Sequence, residues 1–158
     1  MEFNIKEYIT RDNAVILDIG TYDGADSIEF VESLPEATVY AFEADPLVWP
    51  IFENNVQSKI GYPHPRLHLV KSAVGNVDGS LSFYTSYIKH RDNATGPCGT
   101  FQKPTGCLVL HPHVGYNTTE VACLKLDTWF ATSGIDFIDF AWTDVNGAEI
   151  ALLEGGIE

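Results

Sequence analysis

A continuous apolar run, Ala14-Val15-Ile16-Leu17, leads straight into Asp18-Ile19-Gly20-Thr21-Tyr22-Asp23-Gly24. No other stretch constrains the fold as strongly. Apolar residues without alternation are what a strand covered on both faces requires. Past Gly24, the residues Ala25, Ile28, Val31 and Leu34 recur at helical spacing until Pro35 ends them. Thr38 to Phe42 reads as a second strand. Asp45 is then expected to cap a helix with Pro46 at its first position, and Val48, Phe52 and Val56 mark its buried face. Pro50 falls early enough in that helix to be tolerated. Leu67 to Val70 reads as a third strand. Strand, helix, strand, helix, strand predicts an α/β fold with a mostly parallel sheet, right-handed crossovers and helices on both faces.

Beyond Val70 the pattern loosens. Asn76-Val77-Asp78-Gly79 is a turn, and Ser80 to Tyr84 is expected as a short antiparallel addition. Residues 86–118 carry Gly, Pro, His and Cys without clear period, and are expected to form a long loop or lid. Val121 to Leu124 reads as strand, and Asp127 to Ser133 as a helix ended by Gly134. Phe137 to Trp142 reads as another buried strand, and Ala148 to Leu153 as a last helix. At 158 residues and 45% hydrophobic, the chain suits one domain with a real core.

Charge narrows the partners. A formal net charge of -13 repels phosphate backbones, so no nucleic-acid partner is expected. No apolar run approaches the ~20 residues of a membrane helix, and Met1 to Thr10 lacks the apolar centre of a signal peptide. Three cysteines, an odd and low number, argue against a disulfide framework and fit a reducing, cytoplasmic setting. His90, Cys98, Cys107, His111 and His113 lack the short Cys-x2-Cys pairing of structural zinc sites, so no metal is expected.

Four segments carry chemistry. The first is Asp18 to Gly24, between a buried strand and a helix. Ligands bind at the carboxyl ends of parallel strands, and Gly20 would let the backbone approach one closely. A plain strand-to-helix turn uses glycine equally well. The second is Glu43, with Ala44 beside it, where a carboxylate can accept both hydroxyls of a ribose. The third is Ser72-Ala73, whose small side chains can border an adenine. The fourth is Asp144, which is a ligand-facing acid, a general base, or the N-cap of the next helix.

Electrostatics selects among nucleosides. Dinucleotide sites present a helix N-terminus to a pyrophosphate through G-x-G-x-x-G. Tyr22 occupies the place of the middle glycine here, and Asp23 stands at the helix start. A carboxylate repels a pyrophosphate but favours a ligand carrying an ammonium and a sulfonium. The expected cofactor is therefore S-adenosylmethionine rather than a nicotinamide dinucleotide.

Five segments occur in one order: Asp18 to Gly24, Ala41 to Pro46, Ala73 to Phe83 with Gly75 and Gly79, Leu126-Asp127, and Asp136 to Glu149. In that order they resemble the FkbM-type methyltransferases over roughly residues 14–156. The resemblance implies a Rossmann-like class I methyltransferase fold and methylation of oxygen on a sugar, glycan or small metabolite. It implies that Asp18, Gly20 and Glu43 hold the methionine and ribose parts, with Thr21, Tyr22, Asp23, Gly24 and Ala44 in the same shell. Ser72 and Ala73 would border adenine, and Asp144 would face the reaction centre as base, with His90, His111 or His113 second.

Two departures from the family pattern stand out. The usual K-I-D-V-E-G is Trp142-Thr143-Asp144-Val145-Asn146-Gly147 here, and the family's sheet continues past Gly155. The domain is accordingly expected to be C-terminally incomplete, with an exposed sheet edge open to self-association. A non-catalytic binding module, or a domain completed by another chain, is the alternative.

Overall fold

A computed structural model describes residues 4–92 and 94–156, apart from the side chain of Cys107. The first strand, β1 (Val15–Ile19), is buried along its whole length. It pairs in parallel with β2 (Thr38–Phe42) on one side and β8 (Phe140–Thr143) on the other. β2 pairs in parallel with β3 (Leu67–Val70), giving the order β3-β2-β1-β8. Period-two alternation along β1 divides the core. Ile16 faces α1 (Ala25–Ser33) and α2 (Trp49–Lys59) through Ile28, Phe30, Val31, Phe52 and Val56. Val15, Leu17 and Ile19 face the other side. There they meet Leu126 and Trp129 of α4 (Leu126–Ser133) and Leu152 of α5 (Glu149–Glu154). Helices thus cover both faces of a parallel sheet, as the alternation predicts, and the arrangement is the Rossmann-like one that the resemblance implies.

The boundaries differ in instructive places. The second helix starts at Trp49, not Pro46, with Pro50 in its first turn. Asp45 does not cap it. Its Oδ1 instead accepts the Leu47 N–H at 2.9 Å, closing a turn ahead of the helix. The last strand is Phe140–Thr143 rather than Phe137 to Trp142. Phe137 and Ile138 pack under α4 and α5 before the strand begins. β8 is the outermost strand of its sheet.

A second sheet has the order β4-β7-β5-β6. β4 (Ala73–Val74) continues from β3. β5 (Gly79–Ile88) and β7 (Val114–Leu124) form a ten-pair antiparallel ladder, and β6 (Ala94–Thr95) adds to its end. The short addition expected at Ser80 to Tyr84 is therefore a long strand. The stretch 86–118 carries β6, α3 (Thr105–Leu110) and the first half of β7. Gly115 belongs to this ladder because a Cβ there would stand 2.3 Å from the Tyr87 ring. Ala73, Phe83, Val121 and Cys123 join the second sheet to Ala44 at the end of β2. Among the described residues no helix is long and apolar enough to cross a membrane.

Candidate active site

A cleft of about 540 Å³, open mouth included, lies at the carboxyl ends of β1, β2 and β3. This is where open parallel sheets bind ligands. Of the residues singled out in the sequence, Gly20, Tyr22, Glu43, Ala44, Ser72, Ala73 and Asp144 line it. The remaining wall is formed by Ile19, Phe42 and Val74 at the strand ends, Phe83 of β5, Gly96, Pro97 and Gly99 to Phe101, together with Asp45, Val48, Val145 and Asn146.

Asp18, Thr21, Asp23 and Gly24 stand behind the wall. Asp18 is 1% exposed, and its Oδ2 accepts hydrogen bonds from Thr21 Oγ1 and Ser27 Oγ. It holds the loop that follows β1 instead of touching the cleft. Asp23 Oδ1 accepts the Ala25 N–H at 3.2 Å, a local bond at the start of α1. Gly24 is the N-cap of α1 at φ 78, and a Cβ there would stand 2.7 Å from the Phe52 ring. Its role is the packing of α1 on α2. Gly20 lines the cleft and also meets a neighbour from the fold itself. At φ 92, its missing Cβ makes room for the backbone carbonyl of Asp144, 2.0 Å from where that Cβ would be. The close approach joins two strand ends around the cleft.

Tyr22 takes a left-handed conformation, φ 51, at the position of the middle glycine in dinucleotide motifs. Such a φ is uncommon for a non-glycine residue and clusters at functional sites. A hydrogen bond holds it, from its N–H to Glu43 Oε2 at 3.0 Å. The other oxygen of Glu43 accepts the Asp45 N–H at 2.7 Å. Two backbone donors thus lock the carboxyl of Glu43, which is 7% exposed. A carboxylate oxygen has a second lone pair, so each can still accept from a ligand.

Burial pushes the Glu43 carboxyl up to about 7, against the backbone hydrogen bonds of Asp45 and Tyr22, which lower it. Burial likewise raises Asp18 to about 6, against hydrogen bonds from Ser27 and Thr21. Asp45 is also raised, again chiefly by burial. An acid whose folded pKa lies above its unfolded value stabilises the fold at low pH. That contribution is complete below the unfolded pKa and lost as pH rises through the folded one. The ligand-free protein is therefore expected to lose on the order of 3 kcal/mol for each of Glu43 and Asp18 between about pH 4 and 7. Urea melts across that range check this. A stability that climbs from pH 4 to 7 would refute it.

The sequence offered no periodic signal for the Gly96 to Phe101 wall, because its position depends on contacts distant in the chain. Ser86 Oγ accepts the Cys98 N–H at 2.9 Å. Asn146, at φ 52, donates its Nδ2 to the carbonyls of Pro97 and Gly99, both at 3.3 Å. Asn146 stands where the family pattern has glutamate, and here it ties the wall to the loop after β8. The N-cap of α5 is Ala148, without a side-chain cap bond, so Asp144 does not cap that helix. Its N–H donates to Ile19 O at 2.9 Å, while its exposed side chain lies at the cleft. His90, His111 and His113 lie by the Ile88–Val114 end of the β5–β7 ladder, opposite the Gly79–Cys123 end, and none of them lines the cleft.

The chain is 29% identical over 155 residues to the 2-O-methyltransferase NoeI of Sinorhizobium fredii, covering 98% of this chain. It spans 62% of the length of that relative. Among solved structures, a precorrin-6y C5,15-methyltransferase of Geobacter metallireducens aligns at a TM-score of 0.38 and 22% identity. That alignment covers 43% of this chain and 34% of the other. The family model described as the methyltransferase FkbM domain matches residues 18–158, from the Asp18 loop through every cleft-lining segment, and the chain belongs to that family.

Proposed function

We propose that this chain binds S-adenosylmethionine in the cleft and transfers methyl to a hydroxyl of a sugar, glycan or other small metabolite. The observation that carries this reading is the charge of the lining. Glu43, Asp45 and Asp144 contribute carboxyls, and no Lys, Arg or His is among the described lining residues. Such a wall repels a pyrophosphate and favours a ligand with two cationic groups and no phosphate. Asp23 drops out of this argument, since its carboxylate serves α1, and the three lining acids replace it.

The residues fit the group. Glu43 offers two preorganised acceptors to a ribose, Ser72 and Ala73 offer a small-residue border for a base, and Gly20 and Tyr22 close the strand-end loop. S-adenosylmethionine, when bound, supplies an already activated methyl group on a sulfonium. The protein's own task is to align an acceptor, exclude water and remove one proton. Asp144, exposed at the mouth, takes the hydroxyl proton in this reading. The 2-O-methyltransferase relative supports oxygen as the acceptor atom. A cytoplasmic location and self-association through β8 belong to the same proposal. Exposed outer strands pair with other chains, so light scattering should detect dimers, and a strict monomer at high concentration would exclude that contact.

Calorimetric titration tests the binding step. Glu43→Ala is expected to weaken S-adenosylmethionine by about 1–3 kcal/mol, the range for leaving hydrogen-bond partners unmade. Unchanged affinity would remove Glu43 from the site. The parent binding NAD more tightly than S-adenosylmethionine would overturn the electrostatic reading.

A further inference from the structure

Asp45 carries one more acceptor than the fold uses. Its side chain is 1% exposed. Oδ1 closes the turn with the Leu47 N–H. Oδ2 is buried and has no hydrogen-bond partner. A buried carboxylate oxygen without a partner is costly and rare in native folds. Oδ2 lies 3.6 Å from where a Cβ of Gly99 would stand, and both residues line the cleft. Gly99 presents no side chain to this oxygen, because the Phe83 ring lies 2.9 Å from where a Cβ would stand.

The neighbourhood of Oδ2 indicates what it meets. The Asp45 N–H is 2.7 Å from Glu43 Oε1. Four covalent bonds separate that nitrogen from Oδ2, so the oxygen lies within about 5 Å of it. The two carboxyls therefore share one turn at the end of β2. We propose that Glu43 and Asp45 form a two-carboxyl clamp on the vicinal diol of the bound ribose, Oδ2 accepting from one hydroxyl and Glu43 from the other. The inference rests on the nucleoside reading of the cleft. Adenine's amino group is the other available donor, but it lies at the far end of the base from a sugar held at Glu43. The clamp makes Asp45 a specificity residue that selects ribose over deoxyribose.

The experiment titrates the parent, Asp45→Ser and Asp45→Asn with four probes. These are adenosine, its two monodeoxy forms (each lacking one ribose hydroxyl) and S-adenosylhomocysteine. Serine keeps a hydroxyl to close the turn but leaves nothing at Oδ2, whereas asparagine keeps the closing oxygen and removes the charge. The parent is expected to bind adenosine about tenfold more tightly than each monodeoxy form, the scale of one hydrogen bond to a charged group. In Asp45→Ser the preference over one monodeoxy form should vanish while the preference over the other, set by Glu43, remains. Where Asp45→Ser fails to melt cooperatively, Asp45→Asn carries the same test, with that one preference reduced several-fold.

Retention of both preferences in the variants overturns the clamp. So does an equal loss of affinity for all four probes, which would make Asp45 a turn residue only. A parent that distinguishes adenosine from its deoxy forms but ignores S-adenosylhomocysteine overturns the methyl-donor reading and leaves the clamp standing. A parent that binds S-adenosylhomocysteine without distinguishing the deoxy forms does the reverse, and one that binds no probe overturns both.

Discussion

Gly20→Ala is expected to lower stability by about 2–5 kcal/mol and to abolish nucleoside binding. Two terms add. An L-residue at φ 92 costs about 1–2 kcal/mol of backbone energy. The new Cβ would also stand 2.0 Å from the Asp144 carbonyl oxygen and 2.8 Å from its carbon. Both are backbone atoms. They cannot recede freely, because the Asp144 N–H is bonded to Ile19 O and β8 is in register with β1. Relief would have to come from the cleft itself, by separating the β1 loop from the β8 loop. Gly134→Ala isolates the first term. Its φ is 76 and nothing lies within 4 Å of the added Cβ, so only the backbone cost applies. Urea denaturation of both variants separates the two terms. A Gly20 variant no less stable than the Gly134 variant would mean that the β8 loop yields and that the strand ends are not a rigid frame.

Asp144→Asn is the second large effect, expected in rate rather than stability. Because Ala148 is the N-cap of α5, the Asp144 side chain has no capping duty to lose. Its backbone N–H, which does have a structural duty, is unchanged by the substitution. The variant should melt within a few degrees of the parent and bind S-adenosylmethionine. Removing the charge that takes the acceptor proton should slow methyl transfer by roughly a hundredfold or more, the usual scale for a positioned general base. Asp144→Ala should be equally slow and still stable, which a capping role would not permit. Single-turnover transfer to a hydroxylated acceptor reads the rate, and thermal melts read the fold. Transfer at the parental rate in the Asn variant would assign the proton to another group. No histidine, His90, His111 and His113 included, is among the residues that line the cleft.

The legible and illegible parts of the fold separate by the range of the contacts involved. The apolar run before Asp18 and the helical spacing after Gly24 report burial on both faces of a strand and on one face of a helix. Those are local periodicities, so the parallel sheet and its flanking helices could be read directly. The ten-residue span of β5 could not. Its partner half in β7 reads Gly115-Tyr116-Asn117-Thr118-Thr119-Glu120, polar and partly exposed. Such a strand is specified by its cross-strand neighbour, as the fit of Gly115 to Tyr87 illustrates. Asp45 shows the same limit at one residue. Asp-Pro is a helix-start signal, but the helix waits until Trp49, because Oδ1 finds the Leu47 N–H and the turn it closes leaves Oδ2 beside the cleft.

By itself, the sequence determined the α/β alternation, the strand-end loops that carry Gly20, Tyr22, Glu43, Ser72, Ala73 and Asp144, and the acidic character of those ends. Each is a property of neighbouring residues, and local propensity and burial are enough to specify it. Tertiary structure alone decided which of these side chains reach the cleft and which, like Asp18 and Asp23, stand behind it. It also decided that Gly20 makes room for Asp144 and that Asn146 anchors Pro97 and Gly99, residues 49 and 47 positions away. The physical reason is that a cleft is a surface shared by segments distant in the chain. Its shape follows from how sheets and loops pack, and no periodicity within one segment encodes that.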